Sequence, residues 1–209
     1  MKISYAITVC SEKDEIKRLV DYLLANKRQQ DEIVVLYDQK NGDKEVINTL
    51  VKLNKLPNFQ VWRGLDFEGH FANWKNKLTE YCSGDYIFQI DADEIPHEHL
   101  LAYLPTILES NPDNEVYLVP RINTVKGLTT EHIQKWGWSL NDKSWVNFPD
   151  KQMRIYKNSP DRVKWIKPVH EQLVGYDKFA SLPSNPEYCL YHPKDIKRQE
   201  RQNKFYDTI

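Results

Sequence analysis

Strand-like and helix-like patterns alternate through the first half of the sequence, and no other feature constrains its fold as strongly. Between the strand-like runs, apolar residues recur at the three- and four-residue spacing of one helix face. A β-α-β-α-β-α-β order predicts an α/β fold with a mostly parallel sheet and helices on both faces. The predicted buried strands, rich in β-branched and aromatic residues, lie at 3–10, 32–37, 59–62 and 86–90.

Two aspartates directly follow strands of this predicted sheet. Asp38 comes after the second strand, and Asp91 comes after the fourth. Ligands of such sheets bind beyond the carboxyl ends of the parallel strands. We therefore expect both carboxylates to face a ligand crevice.

The regular alternation ends after a predicted helix at 97–109, in which Pro105 is a candidate interruption. Residues 121–150 have no clear period. We expect one mixed α/β domain over residues 1–209, with a regular half at 1–110 and an irregular half at 111–209. The later predicted elements are strands at 115–120, 152–157 and 162–166 and a charged helix at 194–207.

Charge is distributed unevenly, although the net charge is only −1. Residues 1–120 contain 13 Lys and Arg against 20 Asp and Glu, and the remainder contains 16 against 10. The two parts therefore carry net charges of −7 and +6. Such asymmetry predicts an anionic partner for the second half.

Cysteine usage and hydropathy indicate a cytoplasmic protein. Cys10, Cys82 and Cys189 are scattered and show neither a disulfide framework nor zinc-ligand spacing, which favours a reducing compartment. The sequence starts in a strand-like run without a signal-peptide pattern. No apolar stretch approaches the roughly 20 residues that span a bilayer, so we expect no stable membrane association.

Three carboxylates stand within four residues after the fourth predicted strand, at Asp91, Asp93 and Glu94. Carboxylates at this density repel one another unless a cation or solvent relieves them. Mg²⁺ and Mn²⁺ bind through one or two carboxylates together with substrate phosphates. The alternative is a solvated acidic turn that caps the next helix.

Residues 84–94 resemble the Asp-x-Asp segment of GT-A glycosyltransferases of the family-two type. Other segments resemble this family in the same order: residues 7–12 its first strand and loop, residues 34–38 its second strand, and Lys75-Asn76 its Arg-Asn pair. The resemblance covers residues 1–110. The sequence departs from the family at Ser11-Glu12, where Asn-Glu is usual, and after Asp38, where a second Asp is usual.

The resemblance implies a GT-A, Rossmann-like sheet that binds a nucleotide-sugar donor, with Mn²⁺ or Mg²⁺ as cofactor. The implied metal ligands are Asp93, Asp91 and a late histidine, His192. The implied nucleotide-sugar contacts are Thr8, Val9, Cys10, Glu12, Asp38, Lys75, Asn76, Asp91 and Ala92.

Sugar transfer also requires a general base for the acceptor hydroxyl. Glu171 resembles the carboxylate that serves as base in GT-A enzymes, and His170 beside it is a second catalytic candidate. The alternative is a His-Glu pair that forms local hydrogen bonds on a loop. For His192 the alternative is a turn histidine that precedes Pro193.

Basic and aromatic residues are interleaved in the second half. Arg154, Lys157, Lys194 and Arg198 are candidates for binding the diphosphate or an acceptor phosphate. Trp138, Trp145 and Trp165 are candidates for stacking against the acceptor. The alternatives are an aromatic cluster at the edge of the core and a solvent-exposed charged helix.

The function implied by the resemblance is inverting, metal-dependent transfer from a nucleotide-sugar, expected to be a UDP-sugar, to a hydroxyl. The ending at 191–203 looks similar to short glycosyltransferases of tailed bacteriophages, some of which resemble enzymes that modify hydroxymethylcytosine in phage DNA. That DNA is the favoured acceptor, and a bacterial envelope saccharide or lipid-linked acceptor is the alternative. A binding module for nucleotide-sugars or nucleic acids, without turnover, is the alternative of another class.

Overall fold

The computed structural model describes residues 1–56, 59 and 61–206, and strands alternate with helices in its first half as the pattern predicts. The strands are β1 (Ile3–Val9), β2 (Glu32–Asp38), β3 (Val61–Leu65), β4 (Tyr86–Asp91), β5 (Ile95–Pro96), β6 (Val116–Lys126), β7 (Val146–Lys157), β8 (Lys164–Ile166), β9 (Gln172–Val174), β10 (Phe179–Ser181) and β11 (Leu190–Asp195). The helices are α1 (Lys13–Asn26), α2 (Lys44–Leu53), α3 (Phe71–Thr79), α4 (Glu98–Ser110), α5 (Thr130–Trp136) and α6 (Ile196–Tyr206).

The central sheet has the strand order β3-β2-β1-β4-β7-β6-β11-β5 within the described residues, and β10 also pairs with β6. Strands β3, β2, β1 and β4 are parallel, and β6, β10 and β11 run in the same direction. Only β7 and the two-residue β5 run antiparallel to their neighbours in this sheet. The predicted mostly parallel, Rossmann-like α/β fold is therefore confirmed.

Helices cover both faces of this sheet. Helices α1, α2 and α4 pack on one face, where Ile16, Leu19, Leu50 and Leu100 are fully buried. Helix α3 and the separate β8–β9 hairpin pack on the other face. Each fully buried aliphatic side chain contributes about 1.5–3 kcal/mol to folding, so this layering is the main source of stability.

Two parts of the pattern-based prediction differ from the structure. Pro105 does not interrupt α4, because its ring is buried and its apolar packing offsets the single helical hydrogen bond that it lacks. Residues 121–150, which have no clear period, contain the end of β6, helix α5 and the start of β7. Of the strand predicted at 59–62, residue 60 lies outside the described residues, and β3 extends to Leu65.

The strand register brings polar residues from distant parts of the chain to one edge of the sheet. Thr8 of β1 pairs with Asp91 at the end of β4. His192 of β11 pairs with Asn123 of β6. Because β7 is antiparallel, its first half lies at this same edge, where Asp150 pairs with a residue of β6. We call this the carboxyl edge.

Candidate active site at the carboxyl edge

Asp93 follows β4 by two residues, and its carboxylate faces an imidazole and a guanidinium. Its Oδ2 lies 3.1 Å from His192 Nε2 and 3.2 Å from Arg198 Nη2. Burial alone would raise the pKa of Asp93, but His192, Lys194 and Arg198 together lower it well below its usual range. The carboxylate is therefore ionised at neutral pH.

Asp93 Oδ2 and His192 Nε2 are within hydrogen-bond distance at 3.1 Å, and this distance is also that of two neighbouring ligands on one cation. Two ligand atoms at right angles, each about 2.1 Å from an octahedral ion, lie about 3.0 Å apart. The other ring nitrogen, His192 Nδ1, lies 2.7 Å from Asn123 Oδ1, which is the usual support of a metal-binding histidine. No group of three or more His, Cys, Asp and Glu side chains arranged to hold a metal occurs in the described part of the chain. An ion at this pair would have to take its remaining ligands from outside these two side chains.

Asp91 belongs to a different cluster, which is made of internal ion pairs. Arg154 Nη2 donates to Asp91 Oδ2 and to Glu94 Oε1, both at 2.6 Å. Arg121 Nη1 also donates to Glu94 Oε1, at 3.0 Å. Burial alone would raise the pKa of Asp91, but Arg154 and then Lys75 lower it well below its usual range. Asp91 is thus an ionised carboxylate held by an arginine.

Arg154 does not face a ligand, which corrects its prediction as a contact for diphosphate or acceptor. Its side chain is 3% exposed and lies against two carboxylates, so its charge is used inside the protein. Arg121 pairs with Asp150 as well as Glu94, and Arg198 pairs with Glu12. Arg121, Arg154 and Arg198 thus pair with acidic residues of the first half, so part of the charge difference between the two halves is neutralised within the molecule.

Acid should destabilise the protein partly through Asp91. Its pKa is lower in the folded chain than the unfolded value of about 3.9. The ionised carboxylate therefore stabilises the fold above about pH 4, and this contribution is lost as the pH falls toward the folded pKa. We expect urea unfolding between pH 7 and pH 3 to show a smaller loss of stability in Asp91→Asn than in the wild type. Asp113→Asn, which alters an exposed ion pair with Lys178, is the control.

Glu171 is held by a lysine of α3. Its Oε1 lies 2.7 Å from Lys75 Nζ, and both side chains are largely buried. The same ammonium lies 4.6 Å from the ring centroid of Trp165, and its charge also acts on Asp91. Lys75 thus connects the predicted base to the acidic cluster. His170, beside Glu171, is exposed and has a left-handed backbone with φ of 53°.

Asn76 and Trp165 have structural contacts, which corrects their predicted roles. Asn76 Nδ2 donates to the Trp165 carbonyl at 2.9 Å, and Asn76 Oδ1 accepts from the Trp165 amide at 2.8 Å. The Asn76 side-chain amide therefore bonds to both backbone groups of Trp165 in β8, as a neighbouring strand would. These contacts use the amide group that was predicted to contact the nucleotide. Trp165 is 4% exposed, and its Nε1 donates to the Tyr156 hydroxyl at 3.2 Å. It lies in the core, so it cannot stack against an acceptor.

The base-binding prediction centres on Asp38, which is 5% exposed at the end of β2. Asp38 Oδ1 accepts from the amides of Lys40 and Asn41 at 3.1 Å each, and its Oδ2 accepts from Asn41 Nδ2 at 2.9 Å. The thiol of Cys10 lies 3.7 Å from the same Oδ2, and burial, followed by the charge of Asp38, raises the pKa of Cys10 to about 12. A nucleotide base that contacts Asp38 would share this carboxylate with these loop contacts.

The other predicted nucleotide contacts lie in the loop after β1 or beside Asp93. Glu12 Oε2 accepts from the Cys10 amide at 2.9 Å. Val9 and Ala92 are buried at the ends of β1 and β4, and Thr8 is half-buried between them in the sheet. These residues remain predicted contacts.

Helix α6 brings cations to the carboxyl edge. Arg198 Nη1 lies 2.8 Å from Glu15 Oε1, and Arg198 Nη2 lies 3.1 Å from Glu12 Oε1, so this side chain links α6 to the start of α1 and to Asp93. Lys194 donates to Gln202 at 2.5 Å, and burial lowers its pKa. The prediction that Lys157 binds a phosphate is corrected. Lys157 pairs with Tyr86, the first residue of β4, at the opposite edge of the sheet, and its Nζ donates to the Pro112 carbonyl.

A group of half-buried aromatic rings lies on the β6–β7 connection and at the start of β7, beside the carboxyl edge. Trp136 and Trp138 have centroids 4.7 Å apart, and Trp145 and Phe148 have centroids 4.8 Å apart. Lys143 Nζ lies 4.8 Å from the Trp145 centroid. We call these four rings the aromatic platform. Trp138 and Trp145 remain candidates for stacking.

Sequence reasoning missed several residues that support the site, above all Asn123, Arg121 and Asp150. Asn123 Nδ2 and two nitrogens of Arg121 donate to Asp150 Oδ2 at 2.7–2.9 Å. A signal was available, because Arg121 and Asn123 are two residues apart on what proved to be one strand. Polar residues at alternate positions of a strand lie on the same face. Where Asp150 of the neighbouring strand lies on that face, ion pairing and hydrogen bonding with Arg121 and Asn123 are expected.

No helix among the described residues combines the length and the apolar character needed to cross a bilayer. Residues 1–349 of S. aureus TarS resemble this chain with 14% identity and a TM-score of 0.64, over 92% of this chain and 60% of that chain. The same segment in complex with UDP-GlcNAc matches with 16% identity and a TM-score of 0.65, over 93% and 59%.

This chain spans about 60% of the TarS segment and 37% of the longer TarS chain. Because the sequences are only 14–16% identical, the likeness shows the fold alone. A family model provides the stronger finding. The model described as "Glycosyl transferase family 2" matches residues 4–174, which is most of the chain. The chain therefore belongs to glycosyl transferase family 2.

Proposed function

We propose that the protein transfers a sugar from a nucleotide-sugar donor to an acceptor hydroxyl with the help of a divalent cation. The observation that carries this proposal is the pairing of Asp93 with His192 at the carboxyl edge of a family-two fold. The resemblance of the sequence to GT-A enzymes and the UDP-GlcNAc complex of TarS support a UDP-sugar as donor.

The proposed donor site uses Asp93 and His192 as ligands of Mn²⁺ or Mg²⁺, with Asp91 beside them. A bound cation would neutralise the charge of the leaving diphosphate. Arg198 and Lys194 add positive charge on the same side, and both act electrostatically on Asp93. Ion pairing of Arg198 with Asp93 in the free protein keeps the guanidinium at the place where diphosphate oxygens would arrive.

Glu171 is the proposed general base. Lys75 orients its carboxylate by an ion pair of 2.7 Å and lies near the acidic cluster. Proton removal from an acceptor hydroxyl by Glu171 would accompany attack of the oxygen on the anomeric carbon, with the nucleoside diphosphate leaving on the opposite side. In-line attack predicts inversion at that carbon.

Metal removal tests the enzyme class directly. After treatment with EDTA, we expect the protein with UDP-sugar and acceptor to release no UDP above background, and added Mn²⁺ or Mg²⁺ to restore release. Release that is independent of the cation would contradict the metal site. Donor binding by calorimetry without any UDP release, in the presence of metal and both acceptor classes below, would favour the binding module.

Two acceptor classes are supported by different features of the aromatic platform. Exposed lysines near it, among them Lys135, Lys143 and Lys151, suit the phosphates of hydroxymethylcytosine DNA, with the extruded base stacked on a ring. The ring faces alone suit an envelope saccharide or the sugar of a lipid-linked acceptor. Because several arginines are neutralised internally, the net charge of the second half no longer favours DNA by itself.

A radiolabelled UDP-sugar offered with each acceptor distinguishes the two classes. Label in hydroxymethylcytosine DNA, with none in unmodified DNA, would support the DNA acceptor. Label confined to saccharide or lipid would exclude it. Trp138→Ala should raise the KM of the true acceptor with little change in the KM of the donor.

A further inference from the structure

A line of hydrogen bonds leads from His192 into the sheet. His192 Nδ1 lies 2.7 Å from Asn123 Oδ1, and Asn123 Nδ2 donates to Asp150 Oδ2 at 2.7 Å. Asp150 Oδ2 also accepts from Arg121 Nε at 2.9 Å and Nη2 at 2.7 Å. His192 is 6% exposed, and Asn123 is half-buried, so protein contacts dominate the surroundings of the ring.

The carboxylate of Asp150 determines which way the Asn123 amide points. Burial alone would raise the pKa of Asp150, but the charge of Arg121 and the hydrogen bonds to this carboxylate lower it below its usual value. Asp150 is therefore ionised. An ionised carboxylate only accepts hydrogen bonds, so the NH₂ group of Asn123 must face Asp150. The Oδ1 atom of Asn123 then faces His192, and since a carbonyl oxygen also only accepts, this contact requires a proton on His192 Nδ1. The opposite nitrogen, Nε2, faces the Asp93 carboxylate, where a bound cation would take the place of a proton.

The shape of the sheet maintains this arrangement. Arg121 pairs with Asp150, and Asn123 pairs with Val146. Between these two pairs, β7 contains more residues than β6, so the ladder has a bulge there. Such a bulge re-aims side chains at the end of a strand. It lets Arg121 and Asn123 converge on one carboxylate from the same face of β6.

We propose that Asn123, held by Asp150, is a positioning residue that keeps the proton of His192 on Nδ1 and directs the Nε2 lone pair toward a divalent cation shared with Asp93. This inference rests on the proposed metal site and assigns residues that act behind it. Without Asn123, nothing favours a proton on Nδ1, and a neutral ring would carry its one proton on Nε2 and donate it to Asp93. A cation would then meet a hydrogen where it needs a lone pair.

The first test measures metal affinity in Asn123→Leu with Mn²⁺ and UDP, by the EPR signal of free Mn²⁺. We expect the affinity to be about 10–100-fold weaker than in the wild type, as for other residues that support a metal ligand. At saturating Mn²⁺ most of kcat should return, because the ligands themselves are intact. Unchanged affinity in a folded Asn123→Leu would overturn the proposal.

Two further variants separate positioning from general loss of structure. Asn158→Leu is the matched control, because it removes amide contacts to the Cys82 and Gly84 carbonyls at the opposite edge of the sheet. It should leave the Mn²⁺ affinity unchanged, and equal weakening in both variants would contradict a specific role. Asp150→Asn frees the Asn123 amide to turn and should also weaken Mn²⁺ binding, which keeps the test available if Asn123→Leu does not fold.

A spectroscopic test needs neither metal nor activity. In metal-free protein with ¹⁵N-labelled histidine, NMR at alkaline pH should show a protonated Nδ1 for His192 in the wild type and a bare Nδ1 in Asn123→Leu. The signal is assigned by its loss in His192→Gln. A bare Nδ1 in the wild type would overturn the proposal. Absence of Mn²⁺ binding by the wild type, with the expected NMR result, would instead contradict only the proposed metal site.

Discussion

Replacement of Asp93 by Asn should lower kcat/KM for sugar transfer at least about 100-fold while the protein remains folded. The substitution replaces the Asp93 carboxylate, which faces His192, by a neutral amide. Of the two proposed protein ligands, the cation then loses the one that carries a negative charge. Asn has nearly the same shape as Asp and retains an oxygen that can accept from Arg198. Steady-state kinetics with UDP-sugar, together with Mn²⁺ titration, measures the effect.

Asp113→Asn is the matched control for this substitution. Asp113 is exposed and pairs only with Lys178 at 3.1 Å among the ion pairs of the described residues. Surface pairs of this kind contribute about 0–1 kcal/mol, so its kinetics should match the wild type. If Asp93→Asn keeps more than a tenth of the wild-type kcat/KM at low Mn²⁺ concentration, the cation site lies elsewhere.

Glu171→Gln should lower kcat by about 10²–10⁴-fold with little change in the KM for the donor. The amide cannot take the proton of the acceptor hydroxyl, although it can still accept a hydrogen bond from Lys75. Donor binding does not depend on this carboxylate, so calorimetry with UDP should give the wild-type affinity. The separation of kcat from KM distinguishes a base from a group that merely binds substrate.

The control for the base is Glu187→Gln, which changes an exposed carboxylate on the short turn that precedes β11. It should leave both kinetic constants unchanged. A Glu171→Gln variant that loses donor affinity and kcat together would indicate that Glu171 supports the donor site through Lys75. In that case another group would act as the base.

Local patterns were sufficient for the first half of the fold. The parallel strands around Asp38 and Asp91 are mostly apolar runs, and the helices between them show one apolar face. Each of these elements can therefore be recognised from residues close together in the sequence. The second half depends on pairing between distant residues. The β6–β7 register and the position of β11 decide which polar groups meet, and no local period reports them.

The site shows the same division. Asp93 and Glu171 stand out by residue type, and the structure places them beside His192 and Lys75, but their roles stay predictions. Asn76 resembles a family residue, but the structure uses its amide to bind the backbone of β8. Trp165 and Arg154 have the composition of a ligand surface, yet both are buried, because aromatic and cationic side chains serve internal packing and ion pairing equally well.

The pairing of Asp93 with His192 also has a consequence for biosynthesis. The two residues are 99 positions apart in the sequence. Ribosomes add about 5–20 residues per second, so His192 is synthesised roughly 5–20 seconds after Asp93. Strands β1 to β4 can pair during that time, but they carry an acidic turn without the imidazole or Arg198. A polypeptide that ends before residue 192 would therefore carry Asp93 without either partner, so its carboxylate would lack both contacts that the complete sheet provides.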